Sequence, residues 1–302
     1  MPRRPLYVRI GWTLRDYAKR VWDNAGEDNI FFMAGGIAFN ILLAAVPFVL
    51  LLVSGLATLL NRSADQTFVD VTSIIDSLLP PHAETSDSAV HALLIDILRA
   101  RGAVGFYSAL GFVWFSTRLF GSLRSVLADV FDIETDRGII KGKLFDIQIT
   151  IMTTLLLVAY TSLSAYLALA TTRGVQIFER LGIRADVMGT VEYLFGRFIA
   201  FLFVAAMFFA LYKILPNRRI RWSTALLAAV FTSSMFEIAK NVFTAYVAEF
   251  NPGSLYTGTL YALVIVVFWV YYAAMIFILG GEVAQVYELR RVRRLQRETF
   301  ED

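Results

Sequence analysis

The chain has no cysteine and only two histidines in 302 residues. The first absence excludes disulfides, iron–sulfur clusters and thiolate zinc sites. The second leaves little imidazole chemistry: His82 and His91 stand nine residues apart, one beside Pro80-Pro81, which is not the spacing of a metal site. A Gly-x-x-x-x-Gly-Lys-Ser/Thr phosphate loop is also missing, so any energy for work must come from a gradient or a partner. Charge is scarce as well. Only 18% of residues are Asp, Glu, Lys or Arg, against 57% hydrophobic and a mean hydropathy of +0.61. A soluble domain of this length builds its core without such an excess.

What is there is long apolar sequence. Six runs approach the roughly 20 residues needed to cross a hydrocarbon core of about 30 Å. They are Phe31–Leu60, Ala103–Phe120, Ile147–Thr172, Val191–Leu215, Ser223–Val247 and Tyr256–Gly281. The basic residues between them are uneven. The N-terminal segment, loops 2–3 and 4–5 and the C-terminal tail together hold twenty Lys/Arg, the other side six. The positive-inside rule puts both termini in the cytoplasm. These basic runs are a topology signal with attraction to anionic lipid headgroups, rather than a nucleic-acid surface.

The expected fold is an all-α integral membrane protein with six transmembrane helices. Residues 1–30 form a cytoplasmic segment, 31–281 the transmembrane domain and 282–302 a basic cytoplasmic tail. Leu6, Ile10, Leu14, Tyr17 and Val21 recur at helical spacing, which predicts an amphipathic helix on the inner leaflet or packed under the bundle. The external loop, about 61–102, reads as two short amphipathic helices broken at Pro80-Pro81.

Charges inside the apolar runs are the candidate site. In "SSMFEIAKNVFTAY", Glu237 and Lys240 fall roughly 20 and 25 Å along helix 5, at about 1.5 Å per residue. Arg197 on helix 4 and Asn241 reach a similar depth if the two helices are antiparallel neighbours. Isolated charges there cost about 2.5–3.5 kcal/mol or more, so the group should face the bundle interior or water. It is either a clasp between helices 4 and 5 or an outward-open polar cavity suited to an anionic headgroup or solute. Asn40 with Pro47 in helix 1 forms a second polar set. Glu282 ends helix 6 within reach of Arg118 or Arg124, where an anchoring salt bridge is expected.

No enzyme, cofactor or metal site is expected. The acids Asp129, Asp132, Glu134 and Asp136 are the remaining metal-ligand candidates, and a solvated charged loop explains them better.

"GGIAFNILLAAVPFVLL", "LYKILPNRRIRW" and "LYTGTL…FWVYYAAMIFILGGEVAQVY" resemble the YihY/BrkB family of bacterial inner-membrane proteins over about residues 25–290. The resemblance implies six helices and both termini inside. Members have been called ribonucleases, virulence factors and transporters of envelope lipids or solutes, with no catalytic site to carry over. Asn40 stands where an aromatic is usual, and Thr257-Gly258 replaces a usual Tyr-Gly. The resulting expectation is a carrier or flippase for a lipid or an anionic solute, with a non-transporting scaffold as the alternative and a ribonuclease a weaker third.

Overall fold

A computed structural model describes residues 6–59, 101–134, 138, 140–154, 185–250 and 259–301. Among them are seven helices. These are α1 (Leu6–Glu27), α2 (Ile30–Leu59), α3 (Arg101–Val130), α4 (140–154), α5 (Ala185–Ile214), α6 (Trp222–Phe250) and α7 (Thr259–Glu301). Three carry stretches long and apolar enough to cross a membrane: Ile30–Phe48, Trp222–Tyr246 and Val264–Arg293. Phe198–Ile214 in α5 is a shorter apolar stretch. The external loop with His82 and His91 lies outside the described residues, apart from its last two.

The helix ends follow from local chemistry. α1 stops at Asn29, whose φ of 50° is left-handed, a conformation Asn tolerates better than most residues. α3 ends in a Schellman motif. Asp132 takes the left-handed position (φ 49°), its N–H bonds Asp129 O at 3.1 Å, and Ile133 N–H reaches Ala128 O at 2.8 Å. Ile133 then packs on the core, the apolar contact that usually accompanies this cap. Between α5 and α6, Lys213 closes the basic turn by donating to the Ile220 carbonyl, while its ammonium lies 5.3 Å from the Trp222 ring centroid. The turn makes α5 and α6 antiparallel neighbours, as the short connection predicts.

α2 packs on α3 and α7, and α6 packs between α5 and α7. Pro47 does not end α2, and its Cβ lies 3.5 Å from where a Cβ on Gly111 of α3 would stand. α1 lies against α7. The Tyr17 hydroxyl donates to the Val283 carbonyl, and Arg290 stacks 5.0 Å from the Tyr17 ring centroid. Burial pushes the Tyr17 hydroxyl up to about 12 despite the opposing pull of Arg290, so it remains a donor at neutral pH. Of the two readings of the first helix, the structure shows the contact with a bundle helix. Trp22 points the other way, 77% exposed.

The core is knotted where α5, α6 and α7 meet. The buried Tyr212 hydroxyl shares a hydrogen bond with Thr232 Oγ1 at 2.8 Å and donates to the Phe277 carbonyl at 2.5 Å. Its ring stacks on Phe277 with centroids 5.0 Å apart. Gly280 allows this approach: a Cβ there would stand 1.9 Å from Thr232 Oγ1 and 2.5 Å from the Tyr212 hydroxyl. Gly280→Ala should therefore cost about 1–3 kcal/mol of stability, while Gly26→Ala, where a Cβ meets nothing within 4 Å, should be neutral or stabilising. Thermal unfolding in detergent checks this. Adding Thr232→Ala to Gly280→Ala should recover part of the loss, and equal melting of both glycine variants would contradict the packing account.

Candidate functional site

The α6 cluster forms in part as its spacing predicts. Glu237 and Lys240, three residues apart, pair at 2.7 Å. The pair is not sealed: the Glu237 side chain is 29% exposed and that of Lys240 40%. Asn241 donates to the Glu237 carbonyl at 2.7 Å, and Asn40 to the Gly36 carbonyl at 2.8 Å. Each amide thus bonds its own helix, which satisfies a polar group in an apolar run at no cost in partners. Arg197 is carried by α5, the antiparallel neighbour of α6, and its side chain lies outside the described residues.

Beside the pair on the same helix, α6 carries an aromatic seam. Phe236 packs on Phe208 and Trp269 at centroid distances of 6.1 and 5.2 Å, and Phe243 meets Trp269 at 5.3 Å. α6 therefore has an aromatic seam toward α7 and an open side that includes exposed Ile238, Asn241 and Val242. Glu237 lies fifteen residues beyond Trp222, about 22 Å along the helix. With exposed Trp222 at an interface, this depth falls inside a hydrocarbon core of about 30 Å.

The expected bridge from Glu282 to Arg118 or Arg124 is not formed. Arg124 instead binds Asp146 of α4, Nη1 to Oδ1 at 3.0 Å, and also donates to the Gly142 carbonyl at 3.2 Å. Gly142 makes room for it, since a Cβ there would stand 2.9 Å from the guanidinium. Arg118 is exposed. Glu282 is fully buried at a different place, against Asp28 and Asn24 with Asp132 near. The physical reason is that α1 docks on α7 there and brings its own polar end to Glu282.

The acids after α3 are exposed, as the solvated reading expects, but they sit in a helix end and its cap rather than a plain loop. Asp129 is on the last turn of α3 and Asp132 in its cap, and together with Glu27, Asp28 and Glu134 they line a depression of about 500 Å³. Asp136 lies outside the described residues. Among the described residues no three His, Cys, Asp or Glu form a group that could hold a metal ion.

Comparison with known proteins now bears on this geometry. Residues 21–301 match the family described as Virulence factor BrkB. The chain belongs to the BrkB family. Among curated BrkB-like relatives, a UPF0761 membrane protein of Vibrio vulnificus is 24% identical over 258 residues, covering 85% of this chain and 77% of its own. One from Pseudoalteromonas atlantica is 25% identical over 264 residues, covering 87% and 83% respectively. One from Vibrio cholerae reaches 34% over a shorter stretch of 98 residues, 32% of this chain and 33% of its own. No solved structure matches. These relatives are named as membrane proteins, in keeping with the apolar helices of this BrkB-family chain.

Reading by run and spacing missed Asp28, Asp146 and Tyr212. Asp146 could have been suspected, as an acid at the start of an apolar run. Asp28 and Tyr212 gave no local signal. The Arg124–Asp146 pair, with side chains 17% and 3% exposed, makes a direct prediction. Arg124→Leu alone should destabilise the fold by taking the guanidinium from a buried carboxylate, and the double variant with Asp146→Leu should recover part of the loss. Additive losses in that double-mutant cycle, read by thermal unfolding, would show that the two groups do not act as a pair.

Proposed function

We propose that this BrkB-family protein is a six-span inner-membrane carrier, with both termini in the cytoplasm, that moves an amphiphilic anion, a lipid or a solute, along the open side of α6. The observation that carries the reading is the Glu237–Lys240 pair, partly exposed on a helix apolar enough to cross a membrane. An open pair keeps the Lys240 ammonium available to a passing phosphate or carboxylate, while Glu237 keeps it positioned. The neighbouring apolar residues suit the tails of such a molecule, and Arg197 adds a second cation on the adjoining helix if it reaches the same depth. The role assigned to the protein is binding and passage, with no bond made or broken.

The test uses the full chain in liposomes containing a trace of fluorescent phosphatidylglycerol, with fluorescent phosphatidylcholine as the neutral control. Chemical quenching from outside measures how fast each probe crosses. The expected outcome is faster crossing of the anionic probe than in protein-free liposomes, reduced at least about tenfold by Lys240→Met, which corresponds to the loss of roughly 1.4 kcal/mol or more. Equal rates with and without protein, or no effect of Lys240→Met on a folded protein, would sink the lipid reading. A scaffold role would then be the better account.

A further inference from the structure

A second group of charges remains once the α6 pair is assigned. Glu282 is completely buried, and neither of its carboxyl oxygens receives a hydrogen bond. Its charged neighbours are both acids: Asp28, close against it in the α1–α2 connection, and Asp132 in the cap after α3. Asn24 of α1 is also beside it and favours its charged form, opposing the acids; the Asn24 amide also donates to Gln285 Oε1 at 3.3 Å, and Gln285 donates to Asp132 Oδ2 at 2.7 Å. From α5, Tyr212 approaches by way of Gly281, yet its hydroxyl is already engaged with Thr232 of α6 and the Phe277 carbonyl. Asp129 stands near Asp28, and α2 offers only Met33 to the adjoining depression. No base is among the groups acting on Glu282.

An ionised carboxyl can only accept hydrogen bonds. Two of them close together repel, neither can donate to the other, and burial makes that arrangement more costly. A proton on one oxygen supplies the missing donor and removes one of the two charges. We propose that Glu282 and Asp28 form a binding site for a single proton, shared between their carboxyls where α1, α3 and α7 meet. Repulsion among these acids is evident at the edge of the group too, where burial and the Asp28 carboxylate push Asp129 above the ordinary carboxylate range. The site lies apart from the α6 pair and does not rest on the transport reading.

The bound proton acts as a clasp. Asp28 belongs to the connection after α1, Asp132 to the cap of α3 and Glu282 to α7, so losing the proton loads repulsion onto the contacts that join these helices. The sign follows from linkage. An acid that holds its proton more tightly in the folded state than in the unfolded state adds stability at low pH. That contribution disappears as pH rises above the unfolded carboxylate range near about 4 and through the folded value.

The experiment is thermal unfolding of the full chain in lipid nanodiscs, in buffer with chelator, from about pH 5 to about pH 9. The wild-type midpoint should fall by several degrees as pH rises. Glu282→Gln keeps the shape and sets an amide donor against Asp28, so its profile should be nearly flat. Infrared spectroscopy gives a readout independent of stability: a protonated-carboxyl band present in the wild type and absent from Glu282→Gln. If Glu282→Gln does not fold, Asp28→Asn is read in the same two ways. The proposal fails if wild type and variant share one pH profile and no band differs between them. It also fails if Mg²⁺ or Ca²⁺ at constant pH stabilises only the wild type, because the site would then be one for a metal ion.

Discussion

The approach of α7 to α5 and α6 at Gly280 is the constraint on which the remaining architecture depends. Without a side chain at that position, Thr232 and Tyr212 come to the surface of α7 and close a small polar knot inside an apolar bundle. In a membrane interior, such a knot is strong only when every member has a partner, and here both hydroxyls do. It also fixes the rotation of α7. Once Gly280 faces α6, its neighbour Gly281 faces α3, where a Cβ would stand 3.0 Å from Val130. Glu282 is then carried into the seam with α1 and α3, and Trp269, three turns back, is set against Phe236 and Phe243.

Two charged groups follow from this geometry, the α6 pair and the acids around Glu282, and they are opposite in kind. The Glu237–Lys240 pair borders the aromatic seam of α6 and stays partly exposed. Glu282 is enclosed, while the acids that act on it, Asp28 and Asp132, reach the surface, and no base is among them. Placement of those acids depends on turns as much as on helices. Asn29 and Asp132 both adopt the left-handed conformation, and these two reversals bring Asp28 and Asp132 toward the same part of α7.

Much of this was legible in the sequence because it is local. Apolar length marks α2, α6 and α7, the basic turn around Pro216 makes α5 and α6 neighbours, and a spacing of three predicts the Glu237–Lys240 pair. What could not be read depends on contacts between residues far apart in the chain. Arg124 had a plausible partner in Glu282, but the partner it finds is Asp146, on the next helix and across the gap left by Gly121 and Gly142. Glu282 was expected beside bases and is buried among acids, because the position of α1 was not encoded in its periodicity. That pattern allowed α1 either to float on lipid or to dock on α7, and only the tertiary contacts of Tyr17 and Asn24 distinguish the two.

The central claim is that α6 has one closed flank and one flank open to water at the depth of its charge pair. Single cysteines introduced at Asn241 and at Phe236 in this cysteine-free chain test it most directly, using a membrane-impermeant thiol reagent on intact membranes. The account predicts labelling at position 241 and protection at position 236, which packs against Trp269. Protection at both positions would contradict it and make the pair a dry feature facing lipid or another helix.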